Sequence, residues 1–395
     1  MKNFSRRDFL KLTGSTVLGI ATCNILNPNA SLAASLSTKN IPLNAKELIY
    51  SGRIDFSNNL KPNFIFPASS LTFRFFGKSA KIVLTNEKAY NNNYVGAIVD
   101  GIQQKYLLND SGITEITLCS ENTSREHNVL FFKRMDGGQH EFNLEALLLS
   151  DDGYLLSPLP IPTRRIEVYG DSVSAGEVTE ATDFVGKPDP TNKGEYSNSY
   201  YSYAWMTARN LNAEIHNISQ GGIALLNGTG WFAAPKYPGM ETMWDKLYYN
   251  PYLNNGKQIA WDFSKYTPHL VLIAIGQNDN RYNGQPDEYM TNDPKGKKAL
   301  YWKKKYKELV LNLRKKYPKA VIILATTILN HQPSWDNAID EICKDINDKR
   351  IVHFLYTRNG KGTPGHPRIP EDTEMANELT TYINELDKKI KIWEY

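Results

Sequence analysis

The sequence has little cysteine, little net charge and no long apolar run, and each absence excludes a class of protein. Three cysteines in 395 residues cannot form the framework of a small disulfide-rich domain. A net charge of +4 is too small a surplus for a nucleic-acid-binding surface, so no nucleic-acid partner is expected. A mean hydropathy of -0.47, without a run of about 18 apolar residues, excludes a multi-spanning membrane protein.

The first 34 residues predict an export signal. Arg6 and Arg7 are followed by Phe9-Leu10-Lys11 and by a weakly apolar stretch, which is the pattern that the twin-arginine translocase reads. Small residues near Ala33 favour cleavage there. Residues 1–34 are therefore predicted to be a signal peptide, and the mature protein is expected to be periplasmic or extracellular, with no integral membrane segment. A lipoprotein anchored at Cys23 is the alternative.

Proline divides the rest of the chain. Every second residue of Pro158–Pro162 is proline, which forbids a helix and most sheet pairing, so this run predicts a linker. Before it, residues 46–156 contain short runs of alternating apolar and polar residues, such as Leu71–Phe75, separated by turn residues. Residues 46–156 are predicted to be an all-β domain of the jelly-roll or β-sandwich type.

Residues 164–395 alternate between strand and helix patterns. The predicted strands are Ile166–Tyr169, Glu214–Ile218, Leu270–Ile275, Val321–Ile328 and Ile351–Leu355, each short, apolar and rich in β-branched residues. The predicted helices are Tyr201–Leu211, Tyr301–Lys316, Trp335–Ile346 and a last helix that begins after Pro370. This alternation predicts a three-layer α/β/α domain with a parallel sheet, and ligands are expected at the carboxyl ends of its strands.

Polar segments follow the first three of these strands. They are Gly170-Asp171-Ser172, Ser219-Gln220-Gly221-Gly222 and Gly276-Gln277-Asn278-Asp279. A serine hydroxyl, a glycine N–H and an asparagine amide that meet at one sheet edge have the composition of a nucleophile with an oxyanion hole. The alternative is that these are ordinary loop residues, with Asp171 and Ser172 capping the next helix.

A serine nucleophile also needs a base, since its hydroxyl is barely ionised at neutral pH. His366 is the main candidate, because it lies after the last predicted strand and just before the final helix. His331 follows a strand end and is a reserve. The remaining histidines lie in or beside predicted core strands or in the β-domain: His127, His140, His216, His269 and His353.

Together these motifs resemble the SGNH hydrolases, also called GDSL hydrolases. Further segments resemble carbohydrate esterase family two more narrowly: Tyr50–Asp55, Lys133-Arg134, Leu155-Leu156, Tyr200–Trp205 and Leu211–Ala213. The resemblance runs from about Leu48 to the C-terminus. It implies a flavodoxin-like SGNH domain preceded by a jelly-roll domain.

The resemblance also implies an activity and a set of site residues. Ser172 is the expected nucleophile and His366 the expected base. The N–H groups of Ser172 and Gly222 and the side-chain amide of Asn278 are the expected oxyanion hole. The expected enzyme is a carboxylic ester hydrolase of the acetylxylan esterase kind, which removes acetyl groups from polysaccharides or oligosaccharides.

One position departs from the family pattern. SGNH enzymes usually carry an aspartate three residues before the histidine, to orient the imidazole and stabilise its cation, and here that position is Thr363. Some members of the resembled family use a Ser-His dyad with a backbone carbonyl instead. Glu371 and Asp372, at the start of the last helix, are other candidates for the acid.

Other functions remain open at this point. The chain has neither a metal-ligand spacing nor a phosphate-binding glycine loop, so no metal and no cofactor are expected. Trp231 is a candidate platform for a sugar ring, although core packing is the commoner role of a tryptophan. The alternatives to a carbohydrate esterase are a lipase, thioesterase or peptidoglycan O-acetylesterase of the same superfamily, and a carbohydrate-binding protein without activity.

Overall fold

A computed structural model describes residues 37–394, which contain one large antiparallel sheet and one parallel sheet. The predicted signal peptide, residues 1–34 with Cys23, lies outside the described residues. Between Leu156 and Arg164 the predicted linker has no regular secondary structure. The strand patterns thus predicted the two kinds of sheet in the right order along the chain.

The first part of the chain forms a ten-stranded antiparallel sheet. Its strands are β1 (Thr38–Ile41), β2 (Ile49–Ser51), β3 (Ile54–Asp55), β4 (Asn63–Phe64), β5 (Ser70–Lys88), β6 (Tyr94–Val99), β7 (Ile102–Leu107), β8 (Ile113–Lys133), β9 (His140–Ser150) and β10 (Tyr154–Leu156). Neighbouring strands follow the order β3-β4-β9-β5-β8-β6-β7, with β1 paired to β9 and with β2 and β10 paired to β5.

Two of these strands are much longer than the alternation of residues predicted. β5 has 19 residues, and β8 has 21. Register shifts beyond Gly77 move the buried positions of β5 from odd to even numbers at Ala80, so one strand looks like two in the sequence. Both halves of β5 bury side chains in the same apolar cluster, which means that the sheet curves around a single core.

The second part of the chain has a five-stranded parallel sheet. Its elements and two short hairpins are β11 (Arg164–Gly170), α1 (Ser172–Ala175), α2 (Tyr203–Asn210), β12 (Ala213–Ser219), α3 (Met240–Met243), β13 (Lys246–Tyr248), β14 (Ile259–Ala260), β15 (Leu270–Ala274), β16 (Arg281–Tyr282), β17 (Gln285–Pro286), α4 (Tyr289–Asn292), α5 (Lys297–Lys316), β18 (Val321–Ala325), α6 (Pro333–Ile346), β19 (Ile351–His353) and α7 (Ile369–Ile390). All five predicted strands and all four predicted helices are present. Pro370 lies in the first turn of the last helix rather than before it.

Helices cover both faces of the parallel sheet. Ile322 and Leu324 of β18 pack into one apolar cluster with α5 and α6, whereas Val321 and Ile323 pack into another with α2 and α7. The predicted three-layer arrangement is therefore present. The strand order is β12-β11-β15-β18-β19, so the loops after β11, β12 and β15 are neighbours at the carboxyl edge.

The segments that carry the family resemblance in the β-domain hold the two sheets together. Arg53 has no exposed side-chain surface, and its Nη2 donates to Glu167 Oε1 at 3.0 Å and to the Tyr169 hydroxyl at 2.6 Å. Both acceptors lie on β11. Arg134 makes a second link, because its Nη2 lies 2.6 Å from Glu180 Oε2 just after α1. These two ion pairs, the first fully buried and the second partly exposed at Glu180, fix the β-domain against the strand and helix that lead to Ser172.

Candidate active site

Ser172 lies at the sharp turn between β11 and α1. Asp171 is the N-cap of α1, and its carboxylate accepts a hydrogen bond from the Val173 N–H at 3.0 Å. Ser172 is the first residue of the helix and is 6% exposed. The capping role that the sequence left open for Asp171 is therefore real, and it fixes Ser172 at the carboxyl end of the strand.

Asp171 connects the ends of three strands. Its Oδ2 accepts a hydrogen bond from Gln277 Nε2 at 2.9 Å, while Gln277 Oε1 accepts one from the Thr327 N–H at 3.0 Å. Asn278 Nδ2 lies 3.5 Å from the same Asp171 oxygen. Burial raises the pKa of Asp171, although the hydrogen bonds from Gln277 and Val173 oppose that shift. The network holds the loops after β11, β15 and β18 in one rigid edge.

The predicted oxyanion residues lie in the loops on either side of Ser172. Gly222 has φ of 71°, a left-handed conformation that favours glycine, and its carbonyl accepts the N–H groups of Trp231 at 2.8 Å and Phe232 at 3.1 Å. The side-chain amide of Asn278 donates to Ile223 O at 3.0 Å. Neither the Ser172 N–H nor the Gly222 N–H donates a hydrogen bond to any residue within 37–394. Unpaired backbone donors at this edge are what an oxyanion hole requires.

Asp279 ties the Gly222 loop to the Asn278 loop. Its buried carboxylate accepts hydrogen bonds from the N–H groups of Leu225 at 2.7 Å and Leu226 at 3.1 Å, and from Thr229 Oγ1 at 3.2 Å. Burial raises the pKa of Asp279 to about 7. The Asp that follows Asn278 therefore serves to position the loop that carries Gly222.

His366 lies in the loop after β19, and its partner is an acid that the sequence did not reveal. His366 Nδ1 lies 2.6 Å from Asp189 Oδ2, and the His366 N–H donates to Asp189 Oδ1 at 2.8 Å. Arg368, a buried side chain, donates to the same Asp189 oxygen at 2.8 Å and also bonds the His366 carbonyl. Asp189 is thereby held from two sides against the imidazole.

The charges around His366 change its basicity. Burial alone lowers the pKa of His366, but the hydrogen bond to Asp189 and the charges of Glu177, Asp189 and Asp171 raise it, and the net shift is upward. The pKa of Asp189 falls below its usual range, because its bonds to His366 and Arg368 outweigh the effect of burial. Asp189 is therefore ionised at neutral pH, and Nδ1 of His366 carries the proton that faces it.

The other candidate acids have different partners. Glu371 accepts hydrogen bonds from the N–H groups of Arg368 at 2.9 Å and Gly186 at 3.1 Å, which completes the N-cap of α7. Asp372 is buried and accepts the Tyr203 N–H at 2.9 Å. Thr363 is buried and pairs through its backbone with Leu329, in the loop after β18. None of these three residues places a carboxylate against His366, whereas Asp189 does.

His331 is not available as a base. Its Nδ1 lies 2.7 Å from Leu329 O, and its Nε2 lies 3.0 Å from Asp336 Oδ2, so both ring nitrogens are engaged. Of the histidines predicted to belong to the core, His216 and His269 are buried on the strands or at their edge. Burial lowers the pKa of His216. Unlike His331, His366 pairs its Nδ1 with a carboxylate and has no hydrogen-bond partner for Nε2 within residues 37–394.

Trp231 presents its ring to solvent next to the Gly222 loop. It is 57% exposed, whereas the other six tryptophans are buried or half-buried. The Arg281 guanidinium lies 3.8 Å from the ring centroid and covers one face. The backbone bond from Trp231 to Gly222 places this exposed ring close to the predicted oxyanion hole.

Within residues 37–394, no group of three or more His, Cys, Asp and Glu side chains is arranged to hold a metal ion. No helix in this described range is long and apolar enough to cross a membrane.

Comparison with known proteins agrees with this geometry. Residues 50–160 match the family model described as carbohydrate esterase 2 N-terminal. The chain is 28% identical over 351 residues to the cellulase/esterase CelE of Acetivibrio thermocellus, an alignment that covers 85% of this chain but 39% of that protein. It is 26% identical over 381 residues to the acetylxylan esterase / glucomannan deacetylase of Cellvibrio japonicus, covering 95% of this chain and 97% of the relative.

A solved structure shares the fold. The family two carbohydrate esterase from Clostridium thermocellum, in complex with cellohexaose, aligns with a TM-score of 0.70 and 26% identity, over 88% of this chain and 100% of that one. The chain thus spans less than half of CelE but nearly all of the Cellvibrio relative. The resemblance predicted from the sequence is confirmed, and these relatives support the predicted enzyme class.

Proposed function

Because this chain carries a carbohydrate esterase family two N-terminal domain and resembles esterases of that family along most of its length, we propose that it is an exported serine esterase that removes acetyl groups from polysaccharides or oligosaccharides. Its second domain is proposed to be an SGNH hydrolase of the flavodoxin-like kind, and its first a jelly-roll. The twin-arginine translocase is the proposed export partner, with a lipid anchor at Cys23 as the alternative route. The mature protein would then act in the periplasm or outside the cell.

The proposed chemistry is acyl transfer through Ser172. His366 Nε2 takes the hydroxyl proton as Ser172 Oγ attacks the acetyl carbonyl carbon, and the oxyanion forms beside the N–H groups of Ser172 and Gly222 and the amide of Asn278. The bond to the sugar oxygen then breaks, and His366 returns the proton to that oxygen. Water repeats these steps on the acetyl-serine, which releases acetate and restores Ser172. Asp189 holds Nδ1 and stabilises the imidazolium in both halves.

The single observation that supports this proposal best is the His366–Asp189 pair at the sheet edge that also carries Ser172 and Asn278. A 2.6 Å contact between an imidazole and an ionised carboxylate, clamped by a buried arginine, has no role in the β-sheet core. It is the arrangement that a serine hydrolase needs to make a histidine basic. The exposed ring of Trp231 beside the Gly222 loop supports a sugar rather than a fatty acyl substrate, since aromatic faces pack against sugar rings.

The test is acetate release from a panel of esters. We expect release from acetylated xylan, glucomannan or their oligosaccharides, together with cleavage of aryl acetates. Cleavage of long-chain acyl esters in preference to acetates would instead favour a lipase or thioesterase, and release only from peptidoglycan would favour a peptidoglycan O-acetylesterase. Oligosaccharide binding without cleavage of any acetate would favour a binding protein.

Replacing Asn278 by alanine should lower kcat on an acetate ester by about 10²- to 10³-fold, because it removes one donor to the oxyanion. The expected change in KM is small, since the donor acts mainly on the charge that develops in the transition state. Steady-state kinetics on an aryl acetate measures both. The neighbouring Asn280→Ala is the matched control, because Asn280 bonds Glu288 and not the Asp171 network. Equal effects of the two substitutions would contradict the assignment.

A further inference from the structure

Glu177 lies at the end of the turn that follows Ser172, and the mechanism above does not use it. Its N–H donates to the Ser172 carbonyl at 3.0 Å, directly after Gly176, the C-cap of α1. The backbone of Glu177 is therefore fixed with respect to the proposed nucleophile. The side chain is half-buried.

The Glu177 carboxylate lies between the oxyanion loop and the proposed base. A Cβ built on Gly221 would be 2.7 Å from Glu177 Oε2, so the carboxylate lies against the backbone one residue before Gly222. The negative charge of Glu177 raises the pKa of His366. In turn, His366 lowers the pKa of Glu177, while Asp189 and Asp171 raise it. The carboxylate is thus within the proposed site.

This carboxylate has no hydrogen-bond donor among residues 37–394. The acids around it all have donors. Asp136, whose Oδ2 would be 3.1 Å from the same Gly221 Cβ, accepts hydrogen bonds from Gly138 N at 2.8 Å, Gln139 Nε2 at 2.8 Å and Gln220 Nε2 at 2.6 Å. Burial and the nearby charge of Asp136 raise the pKa of Glu177 to about 7.

We propose that Glu177 is a substrate-binding residue that accepts a hydrogen bond from a free hydroxyl of the sugar that carries the acetyl ester. This inference rests on the proposed function and adds a specificity to it. A hydroxyl is the donor that a neutral sugar offers at short range from its ester, and a carboxyl oxygen accepts it whether or not the group is ionised. The negative charge of Asp189 nearby also opposes an anionic group on that sugar.

Glu177 has no role in proton transfer in this proposal. His366 already has the carboxylate partner and the raised basicity that the reaction requires. A purely structural carboxylate would resemble Asp136 or Asp279, whose oxygens accept hydrogen bonds from protein groups. An acceptor without a protein donor beside the proposed nucleophile is instead suited to a donor on the substrate.

The test compares two esters and two variants. Glu177→Ala and Glu177→Gln are measured on a xyloside acetylated at one hydroxyl with its neighbouring hydroxyl free, and on 4-nitrophenyl acetate, which has no hydroxyl. The ratio of kcat/KM for the sugar ester to that for the aryl ester should fall by about 10- to 100-fold in Glu177→Ala and by less in Glu177→Gln, which keeps an acceptor oxygen. Both esters are measured at the pH where activity no longer changes, so that any shift in the pKa of His366 does not enter the ratio.

Glu308→Gln, at a partly exposed acid on helix α5, is the control and should leave the ratio unchanged. A ratio that also stays unchanged in both Glu177 variants overturns the inference, whether the two activities fall together or not at all. Thermal unfolding shows whether each variant is folded. If Glu177→Ala does not fold, the result for Glu177→Gln decides the outcome. Failure of the wild-type chain to cleave either ester would instead reject the proposed function.

Discussion

Ser172→Ala should reduce acetate release by at least about 10⁴-fold, because no other group in the proposed mechanism can form the acetyl-enzyme. The rate cannot fall below that of direct hydrolysis by water, which the oxyanion donors still assist. The protein should remain folded, since no residue within 37–394 hydrogen-bonds to the Ser172 hydroxyl. Acetate release from an acetylated oligosaccharide, measured beside a thermal unfolding curve, separates loss of chemistry from loss of fold.

Ser174→Ala is the matched control for this experiment. Ser174 lies on the same short helix, but its hydroxyl contacts the Tyr203 hydroxyl at 2.7 Å inside the protein. Its replacement should lower stability while most of the activity remains. If Ser172→Ala kept its activity and Ser174→Ala lost it, the nucleophile would have been assigned to the wrong serine.

The positions of the candidate site residues that depend on local pattern could be predicted from the sequence. Buried parallel strands are recognisable as short apolar runs, and the residue that follows each run must lie at the carboxyl edge. Ser172, Gly222 and Asn278 follow three such runs, and the structure brings their loops together through Asp171 and Asp279.

The carboxylate that contacts His366 was not predicted, because it is distant in the sequence. Asp189 is separated from His366 by 177 residues and lies in a loop with no predicted element. The family pattern points to position 363, where the buried Thr363 instead pairs through its backbone with Leu329, in the loop after β18. The one local signal was the dipeptide Asp189-Pro190, which is a common turn and points to no partner.

The long strands were missed for a related reason. Alternation of apolar residues reveals a strand only while its register is constant, and the shifts beyond Gly77 reverse which residues face the core. Whether two apolar runs belong to one strand depends on pairing with residues far away in the sequence. Neither run alone indicates that pairing. The contacts of Arg53 with Glu167 were equally invisible, since 114 residues separate the two.

Asp189→Asn should lower kcat by about 10²- to 10⁴-fold and should move the pH dependence of the reaction. The substitution removes the negative charge that stabilises the imidazolium and lets the side-chain amide favour the wrong tautomer of His366. It keeps the size of the side chain, so we expect the loop and Arg368 to keep their positions. A reaction that used a Ser-His dyad with a backbone carbonyl would lose little by this change.

The direction of the pH shift follows from the pKa of His366. The imidazole must be neutral to accept the proton of Ser172, so activity rises with pH as His366 loses its proton. Asp189 raises the pKa of His366, and its removal must lower that pKa. The acidic limb of kcat/KM should therefore move to lower pH in Asp189→Asn, even though the maximum rate falls.

A purely structural role for Asp189 would lower the rate without moving the acidic limb. Asp183 is an exposed acid in the same loop, and Asp183→Asn is the control. It should change neither the rate nor the acidic limb of the pH profile. Full pH profiles of kcat/KM on an aryl acetate distinguish these outcomes, because that ester does not titrate. An acidic limb that stays in place in Asp189→Asn would show that Asp189 does not act through His366, and the dyad with a backbone carbonyl would then be the better description.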